Sequence, residues 1–107
     1  MNYEDFNEVL GGRIKELGET LSAKSAEYSS DSDKLENFKD AAAMLGTTPE
    51  YALWGMVTKH IIATQKFIHQ IDDDVEVNYS QWNEKLGDII AYMVLLDALI
   101  QERQDGN

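Results

Sequence analysis

The sequence contains no cysteine, a single proline, and nine lysines and arginines against twenty aspartates and glutamates. Without cysteine there is no disulfide, no thiolate zinc centre and no cysteine nucleophile, and nothing argues for an oxidising compartment. A formal net charge of −11 excludes a broad electrostatic footprint for nucleic acid. Long apolar runs are also missing. The longest, IIAYMVLLDALI at 89–100, is too short to span a bilayer and carries Asp97. The acidic opening MNYEDFNEVL has no signal-peptide core. These absences lead to the expectation of a soluble cytoplasmic protein with neither a membrane nor a nucleic acid as partner. What is present suits one domain: 107 residues, 43% of them hydrophobic, enough to bury a core. The surplus acid has a plain reading, a solvated surface that resists aggregation. Its sharper readings are a magnesium site, a basic partner protein or a nucleic-acid mimic. A local basic pocket for one small anion is compatible with any net charge.

Apolar residues recur at helical spacing nearly throughout, which predicts an all-α fold of four helices, three long and one short, over residues 1–107 with a frayed tail at 102–107. The first helix is expected over about 3–28, with Tyr3, Phe6, Leu10, Ile14, Leu17, Leu21 and Tyr28 on one stripe. Gly11, Gly12 and Gly18 interrupt it at a cost of roughly 1 kcal/mol each relative to alanine. SSDSD at 29–33 reads as a loop. A short helix over about 34–45 turns Leu35, Phe38, Ala42 and Leu45 inward and stops at Gly46. Thr48 as N-cap and Pro49 in the first turn open the third helix, expected to about 71. Its seam is Leu53, Val57, His60, Thr64, Phe67 and Ile71, flanked by Trp54, Ile61 and Ile68. After the acidic loop 72–78, a fourth helix should run from near Ser80 to about 103 with Trp82, Leu86, Ile89, Met93, Leu96 and Ile100 inward. In its second half that helix is apolar over more than half its circumference. It is therefore either central or buries a second face in a homo-oligomer, a dimer or tetramer.

Glu84 and Asp88 stand one turn apart near the start of the fourth helix, with Tyr92 one turn further on the same face. Like charges at this spacing repel unless a cation lies between them. Carboxylates so placed can share Mg²⁺, which takes one or two protein carboxylates and completes its shell with water and substrate phosphates. The plain alternative is that both acids complement the positive end of the helix dipole. Lys59 and His60 lie mid-helix among apolar residues. His60 is either an ordinary core histidine or, with Lys59, receives a phosphate or pairs with Asp88. Lys24, Tyr28, Asn37 and Phe38 flank the first loop. They can hold a base between ring faces and an amide, or they are core aromatics and a turn asparagine. Other chemistries find no support. The glycines lie inside a helix and form no phosphate loop, there is no G-x-S-x-G elbow, and His60 and His69 are nine apart, the wrong spacing for zinc.

K-S-A-E-Y at 24–28, N-F-K-D-A-A at 37–42, L-W-G-M-V-T-K-H at 53–60 and E-K-L-G-D-I-I-A-Y-M-V-L-L at 84–96 together resemble a known family. They are similar to small phage-encoded proteins related to the MazG-like all-α nucleotide pyrophosphohydrolases, including domains found beside nucleotide-modification genes. The resemblance spans about residues 20–100, and the E-K-L-G-D segment, similar to the E-E-L-G-D of that superfamily, is its most specific part. It implies a helical bundle in which acidic residues of two adjacent helices hold Mg²⁺ while a water attacks between phosphoryl groups. Glu84 and Asp88 match the metal-holding and catalytic acids. Lys85 stands where the family has its second glutamate, and residues 50–71 offer only Glu50 in place of E-x-x-E.

Three functions follow. In a Mg²⁺-dependent nucleoside triphosphate pyrophosphohydrolase, Glu84 and Asp88 would hold the metal, Lys24, Lys59 and His60 would meet phosphates, and Tyr28, Asn37 and Phe38 would hold the base. In a non-catalytic nucleotide sponge, the same pocket would sequester a host defence signal in the bacterial cytoplasm. In an acidic interaction protein, the net charge would engage a basic host protein.

Overall fold

The computed structural model describes residues 1–28 and 35–106, with side chains over 1–22 and 35–106. Four helices run in chain order: α1 at Tyr3–Tyr28, α2 at Glu36–Leu45, α3 at Pro49–Asp72 and α4 at Tyr79–Asp105. The described residues contain no strand.

The punctuation behaves as its chemistry demands. Gly46 ends α2 in the left-handed conformation, φ 67° and ψ 39°, and its N–H donates to the Ala42 carbonyl. Thr48 caps α3, its hydroxyl accepting from the Tyr51 N–H at 3.1 Å, with Pro49 in the first turn. Asn78 caps α4 by accepting from Ser80 N–H at 2.8 Å. Between α3 and α4 the chain reverses through Asp74, at φ 57°, and the Val75 N–H returns to the Gln70 carbonyl at 2.8 Å.

That reversal makes α3 and α4 an antiparallel hairpin. Phe67 meets Trp82 edge to face near the turn, with ring centroids 5.3 Å apart. His60 lies against Tyr92 further along, at 5.5 Å. Leu53 and Leu99 share the core near the far end. Glu50 and Arg103 close it with two hydrogen bonds, 2.6 and 2.7 Å. The short α2 covers the far end of the hairpin. Leu35 and Phe38 complete the buried cluster with Leu53 and Leu99, and Met56, Tyr92, Leu95, Leu96 and Ala98 pack around it.

Several expected inward positions lie elsewhere. Leu45 ends α2 at 71% exposure, because the Gly46 turn follows at once. Ile71 lies beyond the packed length of α3 and is exposed. On α4 the innermost residues are Ala91 and Leu99, whereas Leu86 and Ile100 are exposed. The expected seam is turned by roughly a third of a circle from the face actually used. A helix apolar around so much of its surface has no single apolar stripe, so periodicity leaves the choice to its neighbours. The largest difference is in α1. Tyr3, Phe6, Leu10 and Ile14 are exposed, and among the described side chains of the expected stripe only Leu17 and Leu21 are half-buried, the Tyr28 side chain lying outside them.

Candidate functional site

The face of α4 that turns inward carries Asp88 and Tyr92 as well as Leu99. Asp88 therefore faces the other helices, and its side chain is only 16% exposed. On the α3 side His60, equally shielded, brings Nδ1 to 3.7 Å from Asp88 Oδ2. The hairpin register produces this approach: the pair lies between the Phe67–Trp82 contact and the Leu53–Leu99 core. Tyr92, one turn beyond Asp88, lies against the His60 ring and limits water there.

On the other side of Asp88, α1 and α4 enclose a groove of about 320 Å³ lined by Glu84, Asp88 and Asn83 from α4 and by Arg13, Glu16 and Thr20 from α1, among others. Arg13 organises it. Its Nη1 donates to the Asn83 backbone carbonyl at 3.2 Å and lies 3.7 Å from Glu16 Oε2. Gly87 permits this approach, since a Cβ there would stand 2.9 Å from the same nitrogen. A guanidinium thus lines the same groove as both carboxylates.

The remaining candidates are scattered. Lys59 is exposed, about 100° around α3 from His60. Asn37 is exposed on α2. Phe38 is 6% exposed within the cluster of Leu35, Leu53 and Leu99. That corrects its expected role, because a ring enclosed by core side chains has no free face for a base. The side chains of Lys24 and Tyr28 lie outside the described residues. Among the described residues no three His, Asp or Glu side chains group as metal ligands.

Arg13 was not among the expected site residues. One signal for it is present in the sequence: with Leu17 and Thr20 it occupies positions i, i+4 and i+7, the spacing of one helix face, and Lys24 continues the same register. Comparison of the chain with family models, with curated proteins and with solved structures finds no match.

Proposed function

We propose that the chain is a small nucleotide-handling protein of phage type, in which the groove between α1 and α4 receives the phosphate end of a nucleotide. The observation that carries this reading is the convergence of Arg13, Glu84 and Asp88 on one groove. A guanidinium pairs with phosphate oxygens through two parallel hydrogen bonds, and here it is held by a backbone carbonyl that also fixes its position. The E-K-L-G-D resemblance supports the same chemistry.

Two carboxylates fit a Mg²⁺ that takes its other ligands from phosphates and water, while the described residues form no all-protein cage. Glu84 and Asp88 would hold the ion, which when bound supplies Lewis-acid polarisation of a phosphoryl oxygen. The protein's own part is to bind and orient. Arg13 would meet phosphate, while His60 stands 3.7 Å behind the Asp88 carboxylate with Tyr92 against its ring.

A second reading, binding without cleavage, is favoured by the same absence of a third acidic ligand among the described residues. One experiment separates the two. The protein is incubated with Mg²⁺ and a panel of nucleoside triphosphates and cyclic nucleotides, and each species is quantified in free solution before and after the protein is denatured. Conversion to a monophosphate identifies a hydrolase. Depletion followed by intact recovery identifies a sponge. Asp88→Asn should abolish the conversion while leaving the helical spectrum unchanged. A panel that emerges unaltered and unbound overturns nucleotide handling.

A further inference from the structure

Glu84 and Glu102 mark the covered side of the α3–α4 hairpin. They are eighteen residues apart on α4, five full turns, so they point the same way. Glu84 lines the groove against α1, and Glu102 pairs with Lys39 of α2 at 2.6 Å. Both α1 and α2 therefore lie on one side of the hairpin. The other side of α4 carries Trp82, Ile89 and Leu96, spaced by seven residues and about 120–160° around the helix from Glu84. Leu86, Met93 and Ile100 lie beside them. These are the residues that periodicity alone assigns to the α4 seam.

On α3, Trp54, Ile61 and Ile68 have the same seven-residue spacing and stand 50, 38 and 52% exposed. The pair of Glu50 and Arg103 shows that the two stripes share a side. Glu50 stands one turn before Trp54, and Arg103 two turns beyond Leu96, so each continues its own stripe. Two hydrogen bonds, 2.6 and 2.7 Å, join them. The register of the hairpin then aligns the stripes. With Phe67 beside Trp82 and Glu50 beside Arg103, Trp54 falls opposite Leu96, Ile61 opposite Ile89 and Ile68 opposite Trp82. The result is three apolar rungs about 10 Å apart, on a face that no described helix covers. Thr58 and Gln65 complete it on α3. None of these residues is charged, although 27% of the chain is.

We infer that this face packs on the same face of a second copy of the chain, the two hairpins forming a four-helix bundle about a two-fold axis. Two antiparallel helices with heptad-spaced apolar stripes are half of such a bundle. A two-fold contact must also be self-complementary, and the rungs meet that demand. Whether the axis runs along the helices or across them through the Ile61–Ile89 rung, the middle rung lies on its counterpart and each tryptophan meets an aliphatic residue of the partner. Charge selects the same occupant. A strongly acidic or basic partner finds no countercharge on this face, whereas a second copy brings an equally uncharged one, and everywhere else two chains of −11 repel. The size also fits. From Trp82 to Ile100 the face is about 27 Å long and two helices, about 20 Å, wide. That outline of about 540 Å², raised by the relief of its side chains, approaches the roughly 800 Å² that each partner gives to a standard interface.

Both tryptophans of the chain lie on this face, which supplies a probe that needs no substitution. Sedimentation equilibrium of the full chain should show a dimer at micromolar concentration, reduced to the mass of one chain by Ile61→Lys. The added lysine makes the chain less negative, so lost association cannot come from stronger repulsion. Leu10→Lys, on the exposed part of α1, should leave the dimer intact. Tryptophan emission of the unaltered protein should move to longer wavelength on dilution through the dissociation range, and this readout decides the matter even if Ile61→Lys impairs folding. A monomer at high concentration, a dimer that survives Ile61→Lys or is lost with Leu10→Lys, or emission indifferent to dissociation would each overturn the inference.

Discussion

A Cβ at Gly87 would stand 2.9 Å from Arg13 Nη1, a separation that real side chains do not tolerate. The obstructing atom is the end of a flexible side chain, so the arginine can move aside while the helices stay. Gly87→Ala therefore separates stability from function. Helix propensity favours alanine by up to about 1 kcal/mol, and melting temperature should hold or rise. The guanidinium would leave the Asn83 carbonyl, and nucleotide affinity in the α1–α4 groove should fall about tenfold, the loss of one charge-assisted hydrogen bond. Calorimetric titration beside a melting curve checks both halves. If affinity is retained, Arg13 does not position the ligand. At this scale the sequence was half legible. Glu84 and Asp88 were visible as a strained pair, and the approach of His60 to Asp88 was one of the open readings of His60, although Asp88 lies off the expected α4 seam. Arg13 shares a helix face with Leu17 and Thr20, but that register does not say that it comes to rest on a glycine 74 positions later. Phe38 had two readings, inward on the short helix or stacked on a base, and burial at 6% exposure selects the first.

Helix ends were the most readable elements, since Gly46, Thr48 and Pro49 act through bonds made within a few residues. The lock between Glu50 and Arg103 spans the α3 start and the α4 end, and no local rule announces it. Each charge also complements the dipole of its own helix, acid at the N-terminus and base in the last turn. The two hydrogen bonds from Arg103 hold the Glu50 carboxyl below its ordinary value of 4.5, despite the opposing effect of partial burial. A carboxylate whose folded pKa is lowered stabilises the fold above its unfolded pKa and loses that contribution as pH falls through the folded one. Arg103→Ala should thus lower the melting temperature near pH 7, and the difference from the unaltered protein should shrink steadily below about pH 4.5. Thermal melts of both proteins from pH 7 to pH 3 measure it. A difference independent of pH would mean that the arginine acts through its packed methylenes and not through the pair. The seam of α4 was misplaced for a different reason: its composition supports two inward faces, and only the presence of α3 and α2 selects one.

For the whole molecule, charge and apolar surface pull in opposite directions. Each chain bears a formal −11, so two copies brought together repel, while their exposed stripes attract. Salt separates the two effects. The Debye length falls from about 30 Å at 0.01 M to about 10 Å at 0.1 M, so added salt screens the repulsion between chains. Burial of apolar area is not weakened by the same change, and is strengthened by excluded anions such as sulfate. Any self-association through an exposed apolar stripe, that of Tyr3, Phe6, Leu10 and Ile14 or that of Trp54, Ile61 and Ile68, should accordingly tighten by severalfold as sodium chloride rises from low to physiological strength, with a further gain in sulfate. Association of the acidic surface with a basic protein has the opposite sign and weakens as salt rises. Sedimentation across a salt series yields the dissociation constant directly. If that constant rises with salt, charge pairing rather than the apolar stripe holds the copies together, and the interface must lie on a different face of the molecule.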